Sequence, residues 1–115
     1  MTKKLSLQLA LIAALTLVLA ACSTPTLEIE IVGHDIHWSM DTIYAKVGQN
    51  IEITLRNEGA LDHNFVLEEF GIDELLSPGT SKVIEVAFEE AGTYHYICSI
   101  PGHEEAGMVG DIIVQ

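Results

Sequence analysis

Residues 98–108 read Cys98-Ser99-Ile100-Pro101-Gly102-His103-Glu104-Glu105-Ala106-Gly107-Met108. A cysteine, a histidine and a methionine therefore follow one another at steps of five residues. A second histidine lies upstream, within Asp62-His63-Asn64-Phe65. Thiolate and thioether are soft donors that suit Cu(I), and imidazole serves both oxidation states of copper. This donor set predicts a copper site made by His63, Cys98, His103 and Met108.

The sequence on either side of this loop alternates between apolar and polar residues, as expected for strands that are buried on one face. The alternation occurs in residues 27–31, 51–56 and 84–88, and turn-forming residues such as Ser77-Pro78-Gly79-Thr80 separate the runs. The pattern predicts an all-β domain, an antiparallel Greek-key β-sandwich of about seven or eight strands. A short helix is expected around residues 70–76.

Strand periodicity also predicts where the ligands lie. In the run Tyr94-His95-Tyr96-Ile97-Cys98, the two tyrosines and the cysteine share one face, and His95 points to the other. His63 is expected to begin a strand over residues 63–67, and residues 110–114 are expected to form the last strand. One loop then carries three ligands, and a neighbouring strand carries the fourth.

The loop resembles the copper loop of the cupredoxins, the family of plastocyanin, azurin and auracyanin, and the resemblance extends over the chain after residue 21. It implies a blue, type 1 copper protein that carries single electrons. In this family an asparagine follows the first ligand histidine, and its side chain hydrogen-bonds to the residue after the cysteine; Asn64 and Ser99 occupy these positions. Four residues separate Cys98 from His103, as in auracyanin and azurin rather than plant plastocyanin.

The resemblance also implies a route for electrons. Many plastocyanins have a tyrosine before the ligand cysteine that forms part of one route, but Ile97 stands there in this chain. Entry is therefore expected through the edge of His103. The expected partner is a redox protein, such as a cytochrome or a membrane oxidoreductase, that meets a monomer at an apolar contact patch formed by Leu61, Ile100, Pro101 and Ala106.

The first residues resemble a bacterial lipoprotein signal. Residues 1–4 carry two lysines, residues 5–20 are almost wholly apolar, and small residues precede Cys22. The resemblance implies cleavage before Cys22 and a lipid on its thiol, whereas an uncleaved transmembrane helix is the alternative. We expect a signal peptide at 1–21, the lipidated cysteine and a linker at 22–26, and the copper domain at 27–115. The domain would lie in the periplasm or on the outer face of a bacterial membrane.

Charge restricts the class of partner. Three bases and seventeen acids follow residue 21, a formal net charge of −14. Such a surface repels nucleic acid and attracts a partner that is basic at the contact, although acidity also keeps an exported protein soluble. With Cys22 lipidated and Cys98 on the metal, no thiol remains for a disulfide.

Other functions fit the same residues less well. An enzyme with Cys98 as nucleophile would lack a third orienting group and would leave Met108 without a role. Copper oxidases and nitrite reductases need a second copper site and further domains, a binuclear copper centre needs two loop cysteines, and a structural zinc site favours thiolates and imidazoles over a thioether. A periplasmic copper carrier or store that uses the same ligands is the remaining alternative.

The other histidines lack this support. His34 and His37 could form a surface metal site, but we expect them to be exposed residues of a loop. His95 is expected to be a solvated or packing residue.

Overall fold

The computed structural model describes residues 22–115, which form two β-sheets stacked as a sandwich. This part of the chain contains one 3₁₀ helix, η1 (Glu68–Phe70), and nine strands: β1 (Leu27–His34), β2 (His37–Trp38), β3 (Thr42–Ala45), β4 (Asn50–Asn57), β5 (His63–Leu67), β6 (Ile72–Leu76), β7 (Ser81–Ala87), β8 (Gly92–Ile97) and β9 (Val109–Val114).

The first sheet has the strand order β2-β1-β4-β7, and the second has the order β3-β9-β8-β5-β6. The predicted all-β sandwich is confirmed. The sheets are mixed, however, because β1 runs parallel to β4 and β3 runs parallel to β9. The sequence did not predict these parallel pairs because alternation shows which face of a strand is buried and not the direction of its neighbour.

The core consists of the inward-facing positions of both sheets. Ile51, Ile53 and Leu55 of β4 are fully buried, and on the second sheet Phe65 stacks on Tyr96 with their ring centroids 5.0 Å apart. The Tyr96 hydroxyl donates to a backbone carbonyl at 2.6 Å, and burial raises its pKa above the ordinary value. The last residues of β8 therefore lead directly from the aromatic core to the cysteine.

Two local predictions were wrong. The segment 70–76 does not form a helix: Phe70 is the last residue of η1, Gly71 follows with φ 63°, and β6 then pairs antiparallel with β5. His34 and His37 are not loop residues, although His37 is exposed as expected; they face each other across the β1–β2 pair, with ring centroids 4.9 Å apart. Both errors concern short segments whose conformation is set by pairing with a neighbouring strand.

The signal peptide expected at residues 1–21 lies outside the described residues. Among the residues that are described, none belongs to a helix with the length and apolar character needed to cross a membrane. Cys22 is exposed and Cys98 is buried, and both thiols are free.

Candidate metal centre

Three predicted ligands converge where β5 begins and β8 ends. One donor atom from each of His63, Cys98 and His103 lies within 4.8 Å of the other two. The Nδ1 atoms of the two histidines are 3.2 Å apart, and Nδ1 of His103 is 3.4 Å from Sγ of Cys98. All three residues are buried, and His103 is the most exposed of them, with 7% of its surface accessible to solvent. The structure therefore brings two imidazoles and one thiol to a single enclosed point.

Backbone hydrogen bonds fold the loop back onto the cysteine. The N–H of Cys98 donates to the carbonyl of Met108 at 3.0 Å, and the N–H of Met108 donates to the carbonyl of His103 at 3.0 Å. Gly102 and Gly107 have φ values of 88° and 99°, a region in which residues with a Cβ are strained. The two glycines therefore allow the reversals that place His103 and Met108 beside Cys98.

Met108, the fourth predicted ligand, is fully buried next to this cluster. A β-carbon added at Gly33 would lie 3.3 Å from Cδ2 of His63 and 3.5 Å from Cε of Met108. The thioether side chain and the imidazole thus border the same residue of β1. A side chain at position 33 would press on His63 and on Trp38, 3.1 Å away, a constraint that the sequence pattern did not reveal.

The hydrogen bonds implied between Asn64 and Ser99 are present. Nδ2 of Asn64 donates to Oγ of Ser99 at 2.8 Å, and the N–H of Ser99 donates to Oδ1 of Asn64 at 2.8 Å. The backbone N–H of Asn64 also points at Sγ of Cys98, 3.5 Å away. One residue of β5 therefore holds the start of the loop and contacts the sulfur.

Asp35 contacts His63 from the side opposite to the cluster, and sequence reasoning missed it. Its Oδ1 lies 2.9 Å from Nε2 of His63. Burial lowers the pKa of His63, and the hydrogen bond with Asp35 opposes that shift. The pKa of Asp35 is itself lowered, chiefly because the N–H of Ala60 donates to its carboxylate. No local signal marks this contact, because the two residues are 28 positions apart.

The remaining predicted residues lie at the surface. Leu61 is 46% exposed, Pro101 and Ala106 are exposed, and Ile100 is half-buried. His95 points outward, as expected, with Nδ1 2.5 Å from Oδ1 of Asp111. The paired histidines of β1 and β2 do not belong to the three-residue cluster.

A family model described as the cupredoxin-like domain matches residues 7–114. The chain belongs to the cupredoxin-like family. Its cofactor is copper, and the donors found together, two imidazoles and one thiol with a buried thioether beside them, suit a type 1 copper site.

The relatives of this cupredoxin include both a copper-resistance protein and a plastocyanin. It is 30% identical over 94 residues to the copper-resistant cuproprotein CopI of Rubrivivax gelatinosus, a match that covers 64% of this chain and 57% of that protein. The chain thus spans little more than half the length of that relative. It is 31% identical over 116 residues to chloroplastic plastocyanin of Chlamydomonas reinhardtii, covering 90% of this chain and 76% of the plastocyanin.

Solved structures show the same fold. Dithionite-reduced auracyanin from the photosynthetic bacterium Roseiflexus castenholzii superposes with a TM-score of 0.68 over 80% of this chain and 99% of the auracyanin, at 22% sequence identity. This similarity supports the sandwich described above.

Proposed function

We propose that this cupredoxin is a membrane-tethered blue copper protein that carries single electrons between redox partners and is not an enzyme. Copper supplies a Cu(II)/Cu(I) couple, which accepts and releases one electron at a time. The observation that carries the proposal is the convergence of the donors of His63, Cys98 and His103 within 4.8 Å of one another in a buried site, with Met108 beside them.

The frame around these donors is suited to electron transfer because hydrogen bonds within the protein hold the strand and the loop that carry them. His63 is on a strand, the loop is closed by the Cys98–Met108 backbone hydrogen bond, and Asn64 ties strand and loop together. Ligands that are fixed in this way move little when the charge of the metal changes. A small movement lowers the barrier to accepting or releasing an electron.

Each ligand would have a separate role. Cys98 would supply the negatively charged donor and the main electronic coupling, and the two histidines would supply neutral imidazole donors. Met108 would act as a weak thioether donor that helps to set the reduction potential. The chain would hold the ion through these four residues, and the hydrogen-bonded pair Asn64 and Ser99 would keep the neighbouring ligands His63 and Cys98 in position.

We place the electron port at His103. His103 has 7% of its surface exposed, whereas His63 has none. The apolar contact with the partner would be formed by exposed or half-buried residues on the two loops that carry or adjoin these ligands. These residues are Leu61, Ile100, Pro101 and Ala106. With a net charge of −14 after residue 21, long-range attraction would favour a redox partner that is basic at the contact.

This port can be tested with a charge placed in the patch. Ile100→Lys should slow electron exchange with a basic cytochrome even in high salt, where steering is screened, and should leave the visible spectrum unchanged. Val83→Lys is the matched control, because Val83 is 60% exposed on β7, outside the copper loop. Equal rates for the two variants at high salt would place the port elsewhere.

A second candidate, a periplasmic copper carrier or store, is favoured by the match to the copper-resistant cuproprotein CopI. The same ligands serve both roles, but the two roles make opposite demands on the reduced state. An electron carrier keeps its copper through many cycles, whereas a carrier or store releases copper to an acceptor.

Mixing the copper-loaded protein with a reduced basic c-type cytochrome, in the presence and absence of a Cu(I) chelator, separates the two functions. The electron-carrier proposal predicts rapid oxidation of the haem and copper that stays bound after reduction. Slow haem oxidation together with transfer of the copper to the chelator would support the carrier or store instead.

The tether is a separate part of the proposal. We propose that residues 1–21 are a lipoprotein signal, that Cys22 carries the lipid, and that the domain lies outside the cytoplasm. Mass spectrometry of the native N-terminus should find an acylated Cys22, and Cys22→Ala should prevent acylation and cleavage. A native N-terminus at Met1 would favour the transmembrane alternative. A chain that begins at Thr26 should still bind copper, because β1 begins at Leu27.

A further inference from the structure

The turn between β1 and β2 delivers a carboxylate to the back of a copper ligand. Asp35 lies in this two-residue turn, and its Oδ1 is 2.9 Å from Nε2 of His63. The other ring nitrogen, Nδ1, faces the cluster and lies 3.2 Å from Nδ1 of His103. The two nitrogens of one imidazole therefore meet a carboxylate on one side and the candidate metal position on the other.

The carboxylate is held in place by the neighbouring loop. The N–H of Ala60 donates to Oδ2 at 2.7 Å, and the N–H of Leu61 donates to Oδ1 at 3.3 Å. The loop is itself fixed by the buried Asn57, whose Nδ2 donates to the carbonyls of Leu61 and Leu76, both at 2.8 Å. Asp35 is thus oriented by two donors from a loop that is anchored to the core.

Gly59 makes this approach possible. A β-carbon at this residue would lie 2.1 Å from Oδ1 of Asp35 and 3.1 Å from Nε2 of His63. The first distance is far below van der Waals contact, so a side chain at position 59 would displace the carboxylate. The turn, the loop and the glycine together form a site built around one carboxylate–imidazole contact.

We propose that Asp35 is a positioning residue that fixes the His63 proton on Nε2, directs the Nδ1 lone pair at copper and lowers the reduction potential of the centre. A carboxylate oxygen without a proton can only accept a hydrogen bond, so Nε2 must donate and Nδ1 must remain a free donor atom. The anionic partner also makes the imidazole more basic. A more basic ligand stabilises Cu(II) more than Cu(I), and the potential falls.

The inference rests on the proposed assignment of His63 as a copper ligand, and it does not depend on electron transfer to any partner. Its test is the reduction potential of the copper-loaded full-length protein and of two variants. Asp35→Asn should reduce the affinity for Cu(II) relative to Cu(I) about tenfold or more, which raises the potential by about 59 mV per factor of ten. An amide also places an NH2 donor against one of two backbone N–H groups, because each carboxylate oxygen of Asp35 now accepts from one of them.

Asp62→Asn is the matched control, because it removes the same charge from the exposed residue beside His63. A much smaller shift in this variant would assign the effect to the contact. Equal shifts in both variants would mean that Asp35 acts only through its negative charge and not through its contact with His63, and would overturn the proposal. A third variant, Gly59→Ala, keeps every charge and displaces the carboxylate, so its potential should rise as in Asp35→Asn; an unchanged potential would count against the proposal.

The wild-type protein provides a readout that needs no variant to fold. In the copper-free protein, ¹⁵N NMR of His63 should show the proton on Nε2. A proton on Nδ1 would overturn the inference even if the copper protein exchanges electrons normally. Loss of the copper band in His63→Gly separately tests the assignment of His63 as a ligand, so failure of the site and failure of the Asp35 role are distinguishable.

Discussion

The copper centre is made of two halves that are fixed in different ways. The strand half contains His63 and Asn64 on β5, and His63 is fully buried and backed by Asp35. The loop half runs from Cys98 to Met108 and is shaped by backbone turns, with His103 reaching the surface. A histidine is thus a fixed support in one half, and in the other we propose a histidine as the point of access for electrons.

The largest expected effect comes from the loop half, which supplies the thiolate. Cys98→Ser should abolish the intense visible band of the copper-loaded protein, because that band arises from charge transfer between thiolate and Cu(II). Cys22→Ser is the control and should keep the band, since that thiol is exposed and lies before β1. An absorption spectrum checks both variants, and an unchanged band in Cys98→Ser would show that the site is wrongly assigned.

The two histidines should respond differently to deletion. His103→Gly should leave a gap near the surface that external imidazole can fill, and the visible band should return. His63→Gly should not be rescued to the same extent, because the vacated space is closed by Asp35 and the loop around Gly59. Titration of both copper-loaded variants with imidazole makes the comparison, and equal rescue would remove the distinction between support and port.

The bonds that join the halves should contribute measurably to stability. Asn64→Ala removes both hydrogen bonds to Ser99 and one to Asp73, and it leaves the N–H of Ser99 without its acceptor. We expect the free energy of unfolding of the copper-free protein to fall by about 2–3 kcal/mol. Ser99→Ala loses one of these bonds and should cost about 1 kcal/mol. Urea denaturation of both variants tests this order, and equal losses would contradict it.

The smallest effect is expected at the thioether. Met108→Leu keeps an apolar side chain of similar volume in the buried position, so copper and the visible band should remain. Loss of a weak donor to Cu(II) should raise the potential, by about 59 mV for a tenfold change in relative affinity. Met40→Leu is the control in voltammetry. A potential unchanged in Met108→Leu would exclude Met108 as a ligand.

The loop half could be predicted from the sequence to a large extent because its chemistry is local. The spacing of Cys98, His103 and Met108 is visible in eleven consecutive residues, and the alternation of β8 indicates which face the cysteine occupies. The family resemblance added the hydrogen bond between Asn64 and Ser99. These predictions depend on contacts along one loop and one strand, which sequence patterns describe well.

The support of the strand half could not be predicted, because it depends on tertiary contacts. Asp35, Gly59 and Asn57 lie in turns or at strand ends, where the sequence shows only common turn-forming residues. Their roles appear only when β1 and β4 lie side by side, and that pairing is parallel, a direction that alternation does not encode. The error at residues 70–76 has the same origin, because pairing with β5 determines the conformation of β6.

We propose that the two halves hold one copper ion that cycles by single electrons. A spectroelectrochemical titration of the copper-loaded protein tests it most directly. The visible band should bleach on addition of one electron per copper and return fully on oxidation, over repeated cycles, with the copper still bound. Bleaching that does not reverse, or copper that leaves the protein on reduction, would contradict the claim.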